Sequence, residues 1–567
     1  MRKAMKIQCE LSWKDKREHS GMKSCRGCQI SFDITDKDLE FYEKVSPNFG
    51  GEKCSIPTPK LCPDCRNQRR LTFRNERNLY KRICDATWVP IVSIYSPDKP
   101  YVVYSMDMWL SDKWDGLDYG RDIDFSQSML SQFEILLKEV PRIPSFQFHN
   151  ENSVYSNGSQ RNKNCYMIFV SDYNEDCVYT NGTFFSQDSI DCLSLNKSSN
   201  CYECIDTDNS HNCFYSQDLV NCNRVFFSKD CQNCSDCYFS QWLRDKTYCI
   251  NNKQYTKEEY QEKIKNNDYI RNRDYGSPNL YYHGFQIENS TGDFIRNMKD
   301  SHNCFESQGS ENSKHVTYGV NIKDCHDGYV VVDNSENCYE VTSIISNYNS
   351  LFVYCSWNNN TSYYIDTCQD SSDLFLCTWL RNKQYCIMNK QYTKDEYETL
   401  VPRIIEKMKQ DWEWWEFFPS SLSPFGYNET AASEYFPLNK DEALKKGFKW
   451  NDYEAVFPKV EKIIPASKLP DSISDIPDDI LNWAIECEVS QRPFRIVKKE
   501  LEFYRKHDLS IPKRHPDQRH LDRMSLRNPR KLFERSCDKC TKEIRSTYAP
   551  ERKETVYCEE CYNNEKY

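Results

Sequence analysis

Polar and apolar positions follow different rules in different parts of the chain. Between about 150 and 390, short runs of aromatic, Ser, Tyr and Val residues are broken by Asn and Asp rather than by Gly or Pro, and FFSQDSIDC (184–192), FYSQDLVNC (214–222) and FFSKDCQNC (226–234) repeat one another. Such segments fit the rungs of a β-solenoid. Asn and Asp tolerate the left-handed backbone of a tight corner and can stack as ladders on successive coils. A parallel β-helix is therefore expected there, with coils of irregular length. Before it, SMLSQFEILLKEVP (128–141) has helical spacing and stops at Pro141, which predicts a short helix. Thr256 and Thr393 stand as N-caps of two helices that leave the solenoid as end caps. DWEWWEFFPSSLSPFG (411–426) is too aromatic to stay in water and is expected to dock on the solenoid end or a neighbouring domain. Residues 427–480 read as a linker with two short helices. No stretch approaches the ~20 apolar residues of a membrane span, and the first twenty residues lack an apolar segment to drive export.

Composition changes this picture through cysteine. There are 30 in 567 residues, and the reading as a soluble, cytoplasmic protein in a reducing compartment turns them from disulfides into metal ligands or small buried hydrophobes. Eighteen lie within 165–386. The outer set contains CRGC (Cys25, Cys28), CPDC (Cys62, Cys65), CDKC (Cys537, Cys540) and CEEC (Cys558, Cys561). Two residues between cysteines let both thiolates reach one tetrahedral ion, and two such pairs complete a four-cysteine site. The C-terminal pairs have the spacing of a zinc ribbon, with 17 residues between Cys540 and Cys558. At the N-terminus 33 residues intervene, and the helical RNQRRLTFRNERNLYKR after CPDC supports the second half of a treble clef. Two closed, structural Zn2+ sites are expected, with no small-molecule cofactor and no membrane partner.

CRGC followed by F-x-I, DLEFYEK and P-x-x-CPDCR, over about residues 25–70, resembles the treble-clef zinc-ribbon family. The wider layout, a cysteine-rich middle with RNKQYCIMNKQYTKDEY between zinc modules, resembles a large group of uncharacterised bacterial proteins. The resemblance implies zinc and a fold, and no activity. The expected fold is mainly β, a central duplicated parallel β-helix-like solenoid flanked by small α+β treble-clef and ribbon modules. Its expected parts are a tail (1–20), a treble clef (21–83), a metal-free ribbon-like hairpin plus helix (84–144), two solenoid units with capping helices (145–265 and 266–426, the second with the aromatic strip), a linker (427–480), a degenerate treble clef (481–535) and a zinc ribbon (536–567).

The duplication is internal and reaches the ends. FDITDKDLEFYEK (32–44) matches FRIVKKELEFYRK (494–506), and RNERNLYKRIC (74–84) matches RNPRKLFERSC (527–537). Ligand by ligand, Cys25, Cys28, Cys62 and Cys65 correspond to Cys487, Ser490, His515 and Gln518, leaving Cys487 and His515 as weak candidate ligands. Conversely Cys537, Cys540, Cys558 and Cys561 correspond to Cys84, Thr87, Ser105 and Met108, so the N-terminal ribbon is expected to be metal-free. In the middle, WLRDKTYCINNKQYTKEEY (242–260) and WLRNKQYCIMNKQYTKDEY (379–397) agree at 15 of 19 positions, 137 residues apart. At that offset Cys213, Cys222 and Cys234 become Ser350, Asn359 and Ser371, which argues against indispensable ligands.

The net charge is −10, yet residues 60–82 and 511–535 are basic. Arg66, Arg69, Arg70, Arg74 and Arg77, with Arg519, Arg523, Arg527 and Arg530 in the copy, are candidates for a nucleic-acid face. The plainer reading, which weighs slightly more, pairs them with carboxylates on the same module. Cys325-His326, His211 and His302 read as packing and surface residues, and no phosphate loop, dinucleotide fingerprint or hydrolase motif is present. Three functions follow in order: a non-enzymatic zinc-stabilised scaffold that binds an unknown protein or nucleic acid, a metal-storage or thiol-redox protein built on the central cysteines, and, distantly, a carbohydrate-active solenoid.

Overall fold

A computed structural model describes residues 20–267, 269, 278–455, 457 and 459–566. The expected tail lies, apart from Ser20, outside the described residues. The protein is mainly β, with a central β-solenoid of about 19 turns, few helices and a four-cysteine group near each end. The solenoid has two stacks of parallel strands, from Gln147 to Ile250 and from Gly284 to Ile387.

Coil length is where the structure corrects the sequence reading. Neighbouring coils pair residue i with residue i+12 throughout, as in Ser156↔Ile168, Leu193↔Ile205, Gln217↔Lys229 and Leu351↔Tyr363. The departures are a shortened pairing at Gly284↔Ile295 and one extra residue at Cys325↔Cys338. Within a coil every third residue has positive φ, running through Asn164, Met167, Val170, Tyr173, Asp176 and Tyr179. Each coil is thus four sides of three residues with a left-handed corner on each side. Asn and Asp bear that backbone with least penalty, which explains why so many precede the buried position.

The residue after each corner points inward, so the buried pattern has a period of three and not two. Cys165, Ile168, Ser171, Asn174 and Cys177 are all buried in this register. A core this narrow holds small side chains and leaves its backbone to be satisfied by them. Ser198 accepts the N–H of Ser210 and donates to the carbonyl of Asn196, and Asn174 donates to Asn162 Oδ1 one coil back.

Both stacks end alike. A short antiparallel strand turns back (Lys253–Gln254, Lys390–Gln391), and a helix follows with Thr256 or Thr393 in a capping box with Glu259 or Glu396. Tyr260 packs on Tyr248 as Tyr397 packs on Tyr385. The expected helix at 128–141 runs Met129–Glu139 from the N-cap Ser128. The aromatic strip lies on the flank of the second stack, with Trp414 against Phe375 and Tyr364, and Phe418 against Phe133. Helices Ala431–Tyr435 and Lys440–Lys445 lie in the segment read as a linker.

Each end carries a hairpin, a helix and a second helix that enters the solenoid groove. At the N-terminus these are Gly21–Ser24 with Ser31–Ile34, Asp36–Val45, and the anchor helix Pro63–Leu71. Their C-terminal counterparts are Ala484–Glu486 with Pro493–Phe494, Lys498–Lys506, and the anchor helix Pro516–Ser525. The docking is reciprocal: the N-terminal module sits on the second stack and the C-terminal module on the first. Tyr42 meets Tyr339 edge-on at 5.4 Å, and Tyr504 meets Tyr202 edge-on at 5.7 Å.

Candidate metal centres

Cys25, Cys28, Cys62 and Cys65 bring their four sulfurs within 4.8 Å of one another, and so do Cys537, Cys540, Cys558 and Cys561. They are the two such groups among the described residues. In the first, one pair comes from the turn after Ser24, and the other flanks the start of the anchor helix, where Cys62 is the N-cap and Pro63 opens the first turn. The N–H of Cys62 donates to Cys25 Sγ at 3.1 Å, and that of Cys558 to Cys537 Sγ at 3.2 Å. Four thiolates about 2.3 Å from a tetrahedral ion stand about 3.8 Å apart. The Cys28–Cys62 and Cys540–Cys558 sulfurs are each 3.7 Å apart, so both sets fit a tetrahedral ion held only by sulfur.

The degenerate copies keep the first cysteine for another reason. Cys84 Sγ accepts the N–H groups of Thr87 and Ser105 at 3.4 and 3.1 Å, the bonds a metal-binding loop makes. Cys487 likewise accepts the N–H of Ser490. Its fellow candidate His515 uses Nδ1 to accept the N–H of Asp517 as a helix cap, and burial pushes its imidazole down to about 4. Cys487 and His515 belong to no group of three ligands among the described residues.

The arginines read as a candidate nucleic-acid face lie between module and solenoid. Arg66 pairs with Asp327 at 2.8 Å, and Arg69 and Arg70 each reach Glu340 at 2.9 Å. Arg74 binds Glu76 and Ser343, and Arg77 packs over Phe169 and faces Asp517. In the copy Arg519 pairs with Asp191 and Glu500, Arg523 with Asp191 and Glu203, Arg527 with Asp206 and Glu306, and Arg530 with Glu306. Asp327 and Glu340 occupy the coil positions of Asp191 and Glu203 in the other stack, so the same contacts are made twice. Most of these pairs reach the solenoid, while the plainer pairing expected within a module is kept at Arg519–Glu500 and Arg74–Glu76. His326, read as a packing or surface residue, stacks on Phe41 at 3.6 Å, and burial holds it down near 4.

Central cysteines donate to backbone carbonyls inside the coils. Cys213 Sγ donates to the carbonyl of His211, and Ser350 Oγ makes the same bond to Tyr348. Cys234 and Ser371 donate to Gln232 and Gln369 in the same way. Cys222 donates nine residues ahead to Cys231, and Asn359 to Cys368. Serine, asparagine and cysteine therefore share one role. The sequence carried the signal: from Cys165 to Cys249 every cysteine spacing is a multiple of three.

A cleft where both stacks meet the C-terminal module is lined by Asp206, Asp218, His283, Glu306 and Arg527. It encloses about 30 Å3, room for ordered water and not for a sugar ring. Burial there would lower His283, but the carboxylate of Asp293, 2.9 Å away, lifts it to about 9. Among the described residues no helix is long and apolar enough to cross a membrane. Comparison with protein-family models and with curated proteins finds no match.

Proposed function

We propose that the protein is a non-enzymatic, cytoplasmic scaffold whose two terminal modules are a treble clef and a zinc ribbon, each closed by one structural Zn2+. The observation that carries this is the convergence of two all-thiol groups at 3.7 Å sulfur separations. Four thiolates suit zinc, and they leave no open position for water or substrate. The first ion would fix the start of the N-terminal anchor helix, and so the arginines that grip Asp327 and Glu340. The buried, carbonyl-bonded central thiols favour packing over metal storage or thiol exchange, since a reactive cysteine needs exposure and a stabilised thiolate. Elemental analysis with a thiol count on anaerobically purified protein tests the reading. About two zinc ions per chain, with the central thiols unreactive until unfolding, are expected. More metal, released when the central cysteines are titrated, would replace this reading with metal storage.

A further inference from the structure

Left-handed corners on the solenoids often carry Asn, Asp or Gly, and where they carry an aromatic ring another element commonly covers it, although Tyr215, Phe227 and Phe239 form a partly buried stacked column of their own. Arg519 lies over Tyr179, Arg527 over Phe294 and Arg530 over Tyr318, while Trp414 packs on Phe352 and Tyr364. Tyr173 and Phe185 depart from this rule. They occupy successive corners of one column with φ of 59° and 52°, a backbone that bulky residues rarely adopt. Their rings stack on each other at 4.8 Å, and they are 42% and 54% exposed. The same column continues at either end with Arg161, whose guanidinium lies over Tyr173, and Lys197. Beside it runs a groove of about 510 Å3 that Lys163 and His211 also line. Folding does not require these side chains. The matching column of the second stack has the same positive φ with Asn297, Gly309, Asn321 and Asp333.

We infer that this groove binds single-stranded nucleic acid, with phosphates on Arg161, Lys163 and Lys197 and a base packed against the Tyr173–Phe185 pair. Cations beside an exposed aromatic stack are what a flexible polyanion with flat rings requires, and Glu175, paired with Lys163, is the one acidic side chain in the groove's lining. The coil spacing of about 4.8 Å lets the column span two or three nucleotides. The inference deepens the scaffold reading by naming a partner, and it is independent of the zinc sites.

The test is a binding titration of the full-length protein with a labelled oligoadenylate of roughly 15 nucleotides at several salt concentrations. Tyr173→Gly with Phe185→Asn installs the residues of the second stack at corners that already suit them. That variant is expected to fold and to bind about tenfold or more weakly. Arg161→Asn with Lys197→Asn should reduce the slope of log affinity against log salt by about 1.4. Absence of binding by the parent protein, unchanged binding by the aromatic variant, or competition by a polyuronate as strong as by RNA would each overturn the inference. Zinc per chain measured on the same samples keeps a failure here distinct from a failure of the metal reading.

Discussion

The two module–solenoid interfaces use the same residues at the same coil positions, yet they are held differently. At the N-terminal interface the anchor helix begins on two metal-ligand candidates, and Glu340 takes two guanidiniums at 2.9 Å. At the C-terminal interface the anchor helix begins on His515, and the four-cysteine group lies further along the chain in the ribbon. The carboxylates are tuned apart as well. Burial works to raise Asp38 and Asp327, but Lys314 and Thr35 in one case and Arg66, Arg70 and His315 in the other bring both below the usual range. Burial wins at Asp206, lifted to about 6 despite Arg527, and at Glu203 and Glu500, which are raised against Arg523 and Arg519. A duplicated interface can thus keep its geometry while one copy starts its anchor helix on a candidate metal site and the other rests on buried carboxyls of raised pKa.

Chelation should separate the two most sharply. Removing metal at neutral pH is expected to abolish amide hydrogen-exchange protection over 63–77 and to leave 516–530 protected. Equal loss at both would make the anchors one cooperative unit. Next in size, Glu340→Ala takes the shared carboxylate from two buried guanidiniums, leaving Arg69 with Glu416 and Arg70 with Asp327 at 3.6 Å, and should cost the N-terminal interface about 3 kcal/mol, read as local exchange free energy. Glu203→Ala leaves Arg523 its bond to Asp191 and should cost about 1–2 kcal/mol. Reversal of that order would undo the comparison.

Acidity gives a smaller difference with opposite signs. Asp206 is protonated in the folded protein at a pH where the unfolded chain is still ionised. Its contribution therefore falls as pH rises from about 4 to about 6, and the C-terminal interface should tighten by on the order of 1–3 kcal/mol between pH 7 and pH 5. Asp38 and Asp327 stabilise their interface above the unfolded carboxyl value, and that contribution is lost as pH falls below about 4. Exchange over 516–530 at pH 7 and 5 reads the first, and exchange over 63–77 at about pH 5 and 3 reads the second. The smallest effect belongs to the coils: Cys213→Ser copies Ser350 and should change stability by less than about 1 kcal/mol in denaturant titration.

Chemistry carried by neighbours in sequence was legible; contacts across the fold were not. The two four-cysteine groups, the duplication, the helix caps at Thr256 and Thr393 and the β-solenoid follow from local spacing. The coil length did not, because its inward positions mix Cys, Ser, Asn, Ile and Leu and no hydropathy rhythm marks them. Position relative to Asn or Asp, not polarity, carries the period. The arginines were seen as a cluster, but their partners at Asp327, Glu340, Asp191 and Glu203 lie hundreds of residues away and sit among many similar corner acids. Tyr173 and Phe185 become conspicuous only once their corners are known to be left-handed.

Repeat stacks ordinarily fray from their ends, because each coil touches only its neighbours. Here the first stack is gripped by the chain's last modules and the second by its first. Either grip, once loosened, leaves the released module tethered through the other, at a high effective concentration for rebinding. The reciprocal arrangement thus works as a pair of latches: either can open alone while the other holds the stacks, and complete unravelling waits until both are open.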